Sequence, residues 1–468
     1  MSSKVLSGKD IRKIGYPEGK VIAAALDAME RYYKNKGKEF KLSLLKEVFE
    51  NPSNYEKDET LGRIVFELRS KTERPEVHEL KPHRTNYKIY GTANIEEGAR
   101  NQMEIAMKLP VTIAGSLMPD AHQGYGLPIG GVLAVENAVI PYGVGVDIGC
   151  RMCLSVFDLS SSYLERHKTG LKKILIDSTM FGGDTFKKPE DHEIFERDEF
   201  KTIRLVKHLK DRAWKQIGSS GSGNHFVEFG IVELLQDENE FGIKAGNYLA
   251  VLSHSGSRGL GAEIARHYTR VARDKCKLPG EAQALAWLDL DSEEGLEYWL
   301  AMNLAGDYAS ACHHQIHRKI GKALGTTSIL RVENHHNFAW KEMLEDGREV
   351  IVHRKGATPA GKGVLGIIPG SMTAPGFIVK GKGVADSISS ASHGAGRLMS
   401  RSQAKMNFTA KEVRQHLEKA GVELIGGGID EAPMVYKDIH EVMNYQNDLV
   451  EVLAAFYPKI VRMAGAEE

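Results

Sequence analysis

The placement of glycine and histidine constrains this chain more than any other feature. Its 48 glycines gather in short runs with no fixed repeat, which excludes collagen-like and low-complexity architectures. Five loop segments hold a histidine at the end of a predicted strand. They are His122 in MPDAHQGYG, His225 in GSSGSGNHFVEFG, His254 in LSHSGSRGLG, His336 in VENHHNFAW and His393 in SASHGAGR. A lone loop histidine is more often a surface or capping residue. Five such loops suggest a rigid sheet displaying functional side chains at its strand ends.

The spacing supports that scaffold. IGGVLAVENAVI, RMCLSVFDL, VLGIIPGSM and GFIVKGKG read as strands. NYLAVLSHSGSRGLGAEIARHYTRVARDK reads as strand, loop and helix, and EYWLAMNLAGDYASACHHQIHRKIGKAL as one long helix. DEFKTIRLVKHLKDRAWKQIG reads as a helix followed by a loop, and AKEVRQHLEKAGVELIG as a helix leading to a strand. Regular βα alternation is missing, so the class is α+β and not a doubly wound sheet. Residues 1–85 are Gly-poor and helical in spacing, and SKTERPEVHELKPHRT reads as a linker. The expected organisation is a helical N-terminal extension over 1–85 and a mixed-sheet catalytic domain over 86–468.

The turn GVGVDIGCRMC holds Asp147, Cys150 and Cys153. A redox CxxC needs both thiols presented together. Strand alternation after Cys150 puts Cys150, Met152 and Leu154 on one face and Arg151 and Cys153 on the other, so the thiols diverge. A four-cysteine zinc site needs a second CxxC, whereas Cys276 and Cys312 are isolated. Cys153, Cys276 and Cys312 therefore read as structural. Asp147 and Cys150, in a Gly-flanked turn, can aim at one point. A thiolate can bridge two ions, so a dinuclear site with histidines from other loops is open. Asp, Cys and His together suit a borderline divalent metal.

Net charge is zero, unlike a dedicated nucleic-acid binder. From His353 to Met406, however, eight cations face the single acid Asp386 in a Gly-rich stretch. Such a run is either a solvated face or a set of loops presenting cations to phosphates. The runs GSSGSGN and SHSGSRG are shaped to bring N–H groups to an anion. Neither is a Walker or dinucleotide motif. Arg258, Arg397 and Arg401 are candidates for clamping phosphates, and His393, with small neighbours, suits a phosphoryl-accepting nucleophile as well as a ligand. No run of 18 apolar residues occurs, and MSSKVLSGKD has no apolar signal core; a cytoplasmic protein is expected.

MPDAHQGYGLPIGGVLA, GVGVDIGCRM, GSGNHFVE, HSGSRGLG, HHNFAW, HRKGATPA, IPGSM and SHGAGRLMSR occur in this order from about residue 98 onward. In this the chain resembles the RtcB-type RNA ligases of tRNA splicing and RNA repair. The resemblance implies joining of RNA ending in a 2′,3′-cyclic phosphate or 3′-phosphate to RNA bearing a 5′-hydroxyl, with GTP as cosubstrate and two Mn²⁺ ions. It implies Asp147, Cys150 and His225 as ligands of one ion, and Cys150, His254 and His336 of the other. His393 is the implied nucleophile, taking up the guanylyl group. Asn224, Phe226, Glu228, Asn337, Ser371, Ala395 and Gly396 match guanylate-holding positions, and Asp120 an active-centre residue. tRNA is an implied substrate and an archease-like activator an implied partner.

Two departures bear on guanine recognition. PGSMTAPG stands where the family commonly has PGSMGTAS, with Gly376 for a Ser, and RMAGAEE replaces the usual terminal Lys-Gly, leaving Arg462 or Lys459 as substitutes. LSGKDIRKIGYPEGKVI weakly resembles a helical element of tRNA nucleotidyltransferases, which implies a tRNA contact as against a packing or gating extension. Two other functions use the same residues: a dinuclear metal-dependent phosphatase or nuclease acting on RNA ends, and a noncatalytic thiol/zinc RNA-binding module.

Overall fold

The computed structural model describes residues 6–69 and 76–465. Part of the expected linker (70–75) and the two chain ends read above (1–5 and 466–468) lie outside the described residues. The architecture is α+β, with helices around two mixed sheets, as expected.

The N-terminal region folds as four helices: α1 (Gly8–Arg12), α2 (Lys20–Arg31), α3 (Lys38–Glu50) and α4 (Gly62–Arg69). On α2, Val21, Ile22, Ala25, Ala28 and Met29 recur at helical spacing and bury against Leu45, Val48, Ile64 and Val65. These helices thus close a hydrophobic core of their own. They dock on the rest through Arg12–Glu293 at 2.9 Å and Arg63–Asp291.

A five-stranded sheet contains β1 (Lys88–Ile89), β2 (Thr112–His122), β3 (Ile129–Val135), β8 (Asn337–Met343) and β9 (Glu349–Lys355), in the order β8-β9-β3-β2-β1. The larger sheet contains β4 (Arg151–Ser160), β5 (Phe226–Leu234), β6 (Gly246–Ser255), β7 (Ser328–His335), β10 (Leu365–Ile368), β11 (Gly376–Gly381) and β13 (Val450–Met463). Its order is β7-β4-β6-β5-β13-β11-β10, with β12 (Glu423–Ile425) parallel to β13. The sheet curls until its first and last strands meet. There the Asn334 side chain bonds both the N–H and the C=O of Ile367, at 2.9 and 3.3 Å. Met152, Leu154, Val156, Ala250 and Leu252 fill the inside of the curl.

After α5 (Glu97–Ala106) come four helices that matter to the site, α6 (Pro141–Val144), α7 (Arg204–Gln216), α8 (Arg258–Lys275) and the 32-residue α9 (Glu293–Leu324). The stretch read as one helix before residue 217 is broken. Ile203 is extended and buries its side chain, leaving Glu199–Thr202 as a separate turn. Ser292 caps α9 by accepting from Gly295 N–H, and Gly325 ends it in the left-handed region. α9 lies against the outer face of β4 and β6. Gly306 lets it come within close contact of Gly149, next to the Asp147–Cys150 turn.

Candidate active site

Strand order explains why loops so far apart in sequence converge. In the larger sheet β7, β4, β6 and β5 are neighbours. His336 follows β7, Cys150 precedes β4, His254 is the penultimate residue of β6, and His225 precedes β5. The register pairs Met152 with His254 and His254 with Phe226. All four side chains therefore stand at the same end of adjacent strands, and Asp147 reaches them from the turn before β4.

The potential ligand atoms touch. Asp147 Oδ2 lies 3.0 Å from His225 Nε2. Cys150 Sγ lies 3.4 Å from His225 Nε2 and 3.2 Å from His254 Nε2, and His254 Nε2 lies 3.2 Å from His336 Nε2. His254 Nδ1 donates to the Asn224 carbonyl at 3.1 Å, which leaves a lone pair on Nε2 pointing at its neighbours. Asp147 Oδ2, His225 Nδ1 and His336 Nδ1 are buried without a hydrogen-bond partner. Lone pairs and an acid crowded in this way repel one another unless a cation sits among them, so the residues fit a metal. Burial, reinforced by the Asp147 charge, pushes the Cys150 thiol well up, and burial holds His254 and His336 neutral, the form that ligates. His335 does not compete. It packs edge-on against Phe338 and tilted against Trp340.

Two glycines of the Gly/Ser loops serve this crowding. A methyl at Gly256 would collide with the Asp147 carboxylate, and one at Gly221 with the His225 ring. Clearance for side chains is thus part of what those runs supply, beside N–H groups for an anion.

His393 faces the cluster from the loop after residues 390–392. Its ring lies 5.0 Å from that of His336. Its Nδ1 donates to Asp120 Oδ2 at 2.6 Å, and its backbone N–H reaches the same oxygen at 3.1 Å. Burial raises the Asp120 carboxyl, but the His393 interaction outweighs it and holds the group below its ordinary value. An ionised carboxylate only accepts, so it fixes the proton on Nδ1 and leaves Nε2 as the free lone pair. This bond joins residues 273 positions apart, and the sequence offers no signal for it.

Asp147, Cys150, His225, His254, His336 and His393 line one cavity of about 1030 Å³. Asn224, Phe226, Glu228, Asn337, Ser371, Ala395 and Gly396 line it, as do Gly376, Arg397 and Arg401. Glu228 sits deep in it, and burial pushes its carboxyl well above the ordinary range. Lys355 of β9, not singled out from sequence, also lines it. Its ammonium donates to the carbonyls of Tyr125 and Tyr142, and burial pushes it down to about 7. Its presence in HRKGATPA was the available signal.

The cationic stretch 353–406 does not form a face. Arg354 is buried on Glu342, Lys355 is buried, and Lys380 pairs with Glu240 and Glu451. Arg397 and Arg401 pair with Glu431, each at 3.0 Å. Arg258 donates to Ser219 Oγ and the Gly182 carbonyl and tethers the loop before His225. Arg462 bonds the carbonyls of Leu175, Ile176 and Thr179, away from the cavity. It does not take the place of the missing lysine.

A family model described as "RtcB: tRNA-splicing ligase RtcB" matches residues 102–188 and 177–464. Similar curated proteins include an Escherichia coli RNA-splicing ligase RtcB1, 32% identical over 409 residues, covering 79% of this chain and 97% of the relative. A Methanococcus maripaludis tRNA-splicing ligase RtcB is 31% identical over 429 residues, covering 76% and 88% respectively. An Entamoeba dispar RNA-splicing ligase RtcB homolog 1 is 31% identical over 411 residues, covering 72% and 76%.

Proposed function

This chain belongs to the RtcB family of tRNA-splicing ligases, and from that premise we propose that it joins RNA 3′-phosphate or 2′,3′-cyclic phosphate ends to 5′-hydroxyl ends through a guanylylated His393. It is an enzyme of the ligase class. The observation that carries the mechanism is the placement of His393, held by Asp120, against the metal-type cluster in one cavity. A phosphatase or nuclease built on the same cluster would attack with a metal-activated water, so a guanylylated His393 is what separates the two readings.

Asp147, Cys150 and His225 would hold one divalent ion, Mn²⁺ on this reading. Cys150, His254 and His336 would hold a second, with Cys150 shared. Bound there, the ions neutralise charge on the reacting phosphates. His393 Nε2 attacks the GTP α-phosphorus, the bond to pyrophosphate breaks, and Asp120 stabilises the positive imidazolium that forms. A cyclic end is first opened by water, which breaks the P–O2′ bond and leaves a 2′-hydroxyl and a 3′-phosphate; the guanylyl group then passes to that RNA 3′-phosphate, restoring the neutral ring. Attack by the 5′-hydroxyl forms the phosphodiester and expels GMP. In this account Glu228 is the buried acceptor for guanine N–H groups, and Arg397 and Arg401 face RNA phosphates from the cavity wall. The protein works in the cytoplasm on RNAs that include tRNA, and an archease-like activator belongs to the same reading.

Incubation with Mn²⁺ and GTP labelled at the α-phosphate tests this. An acid-labile label on the wild-type protein, absent from His393→Ala, is expected. An unlabelled wild type, or label kept by His393→Ala, would leave the hydrolase reading in its place.

A further inference from the structure

The chain around helix α8 packs at both ends of the helix against residues that line the cavity. Just before its start, Gly256 lies against the Asp147 carboxylate. Near its other end the Arg273 guanidinium lies 5.8 Å from the ring centroid of Tyr142, a cavity-lining residue on α6. Helix α7 runs antiparallel beside α8: Gly259 N–H donates to Gln216 Oε1 at 3.3 Å, and Arg212 approaches Glu263 at 4.0 Å. Val206 and Ala213 of α7 share a core with Ile264 and Tyr268 of α8, so the opposite faces of both helices look outward together.

Those outward faces are basic. The two helices carry ten cations and three carboxylates in a chain of zero net charge. Arg204 and Lys207 on α7, and Arg270 and Arg273 on α8, are exposed at helical spacing. Asp211 pairs with Lys215 and Glu263 with Arg266. No carboxylate pairs with Arg204, Lys207, Arg270 or Arg273 among the described residues. This contrasts with 353–406, where Arg354, Lys355, Lys380, Arg397 and Arg401 are buried or paired with carboxylates.

Resting on the RNA-joining reading, we infer that this α7–α8 face is a docking track for the body of the RNA. A strand leaving the cavity past Tyr142 meets Arg273, then Arg204 and Arg270 side by side, and then Lys207. Gly259 opposite Gln216 and Glu263 opposite Arg212 put Arg204 and Lys207 level with the Arg270–Arg273 turn, so the four cations form one compact patch with room for about three phosphates of a stacked strand at about 3.4 Å each. Contacts to the backbone alone carry no sequence information. The track therefore fits RNA of any sequence, and it acts on long substrates only.

The test uses the full chain carrying Arg204→Glu, Lys207→Glu and Arg270→Glu together, with the corresponding triple Gln variant as a milder control for folding. Fluorescence anisotropy across a salt series measures binding of 3′-phosphate RNAs of about twenty and about four nucleotides; losing three phosphate contacts should make the log–log salt slope shallower by about 2. Binding of the long RNA should weaken at least about tenfold at low salt, with the Gln variant intermediate. His393 labelling by GTP and joining of the short RNA should stay unchanged. Unchanged affinity and slope for the long RNA would overturn the track, and so would equal losses for both lengths. A wild type that binds long RNA with a track-dependent slope yet joins neither RNA would sink the joining reading and leave the track standing.

Discussion

Two Cys–His–His clusters lie back to back on the same pair of strands, and only one is built for chemistry. Cys150, His225 and His254 face the cavity inside the curled sheet. Cys153, His313 and His317 lie on the other face, beneath α9. Residue types, burial and ligand-atom spacing are alike. The hydrogen bonding differs. In the second cluster every ring nitrogen is occupied. His313 Nε2 donates to the Ser255 carbonyl at 3.1 Å, so its Nδ1 accepts from Ser253 Oγ at 2.6 Å. Ser253 Oγ in turn accepts from His317 Nε2 at 2.7 Å, and His317 Nδ1 accepts from Ser155 Oγ at 2.8 Å. The chain runs one way and leaves no lone pair free. In the first cluster, ligand nitrogens face one another and the Asp147 oxygen is unpartnered. Ligand chemistry depends on what the neighbours leave unsatisfied, more than on the residues themselves.

The sharpest way to break this comparison is to exchange the thiols. Cys150→Ser should lower metal stoichiometry and RNA joining by more than about 100-fold, beyond the effect of losing an outer-shell partner. Cys153→Ser should keep full metal content and activity within about threefold, the size of a modest packing change. Equal metal loss in the two variants, read by elemental analysis, would show that both clusters bind.

A second contrast is in pH. Burial holds the folded His313 down to about 3 and His317 well below its ordinary value. In the unfolded chain each takes up a proton below about 6.5. The unfolded state therefore binds more protons between about 6.5 and 3, and stability is lost as pH falls through that window. His313→Asn should flatten the slope of unfolding free energy against pH there by about 1.4 kcal/mol per unit. Denaturant titrations from pH 7 to 5 read this; an unchanged slope would mean the ring is protonated in the fold.

The smallest effect separates the clusters most cleanly. Ser253→Ala removes the hydroxyl that joins the two rings and leaves two buried nitrogens unpaired, costing about 1–3 kcal/mol. Metal content should not move. If it rises instead, an ion has entered the vacated position and the second cluster is a latent site.

Much of the first cluster was legible. Asp147 and Cys150 share a Gly-flanked turn, and alternation along RMCLSVF sends Cys153 to the other face, as found. That parity argument needs only the two-residue period of a strand. The second cluster was not legible, because Cys153, Ser253 and His313 meet through strand register and helix docking. The basic surface was misread for a related reason. A run of cations from 353 to 406 says nothing about the carboxylates that Glu342 and Glu431 bring from elsewhere. Arg204, Lys207, Arg270 and Arg273 stay free because the acids of α7 and α8 are few, and two of the three, Asp211 and Glu263, are already paired within or between those helices.

The sequence by itself determined the α+β class, the helical spacing of the N-terminal region and the divergence of Cys150 from Cys153, since periodicity is a local property. Only the tertiary structure decided that Asp120 holds His393, that Arg258 and Arg462 are tied to backbone carbonyls, and that one Cys–His–His set is open while its twin is closed by serine. Each of those depends on which lone pairs and charges meet across distant segments, and satisfaction of a polar group is a property of its surroundings, not of its own residue.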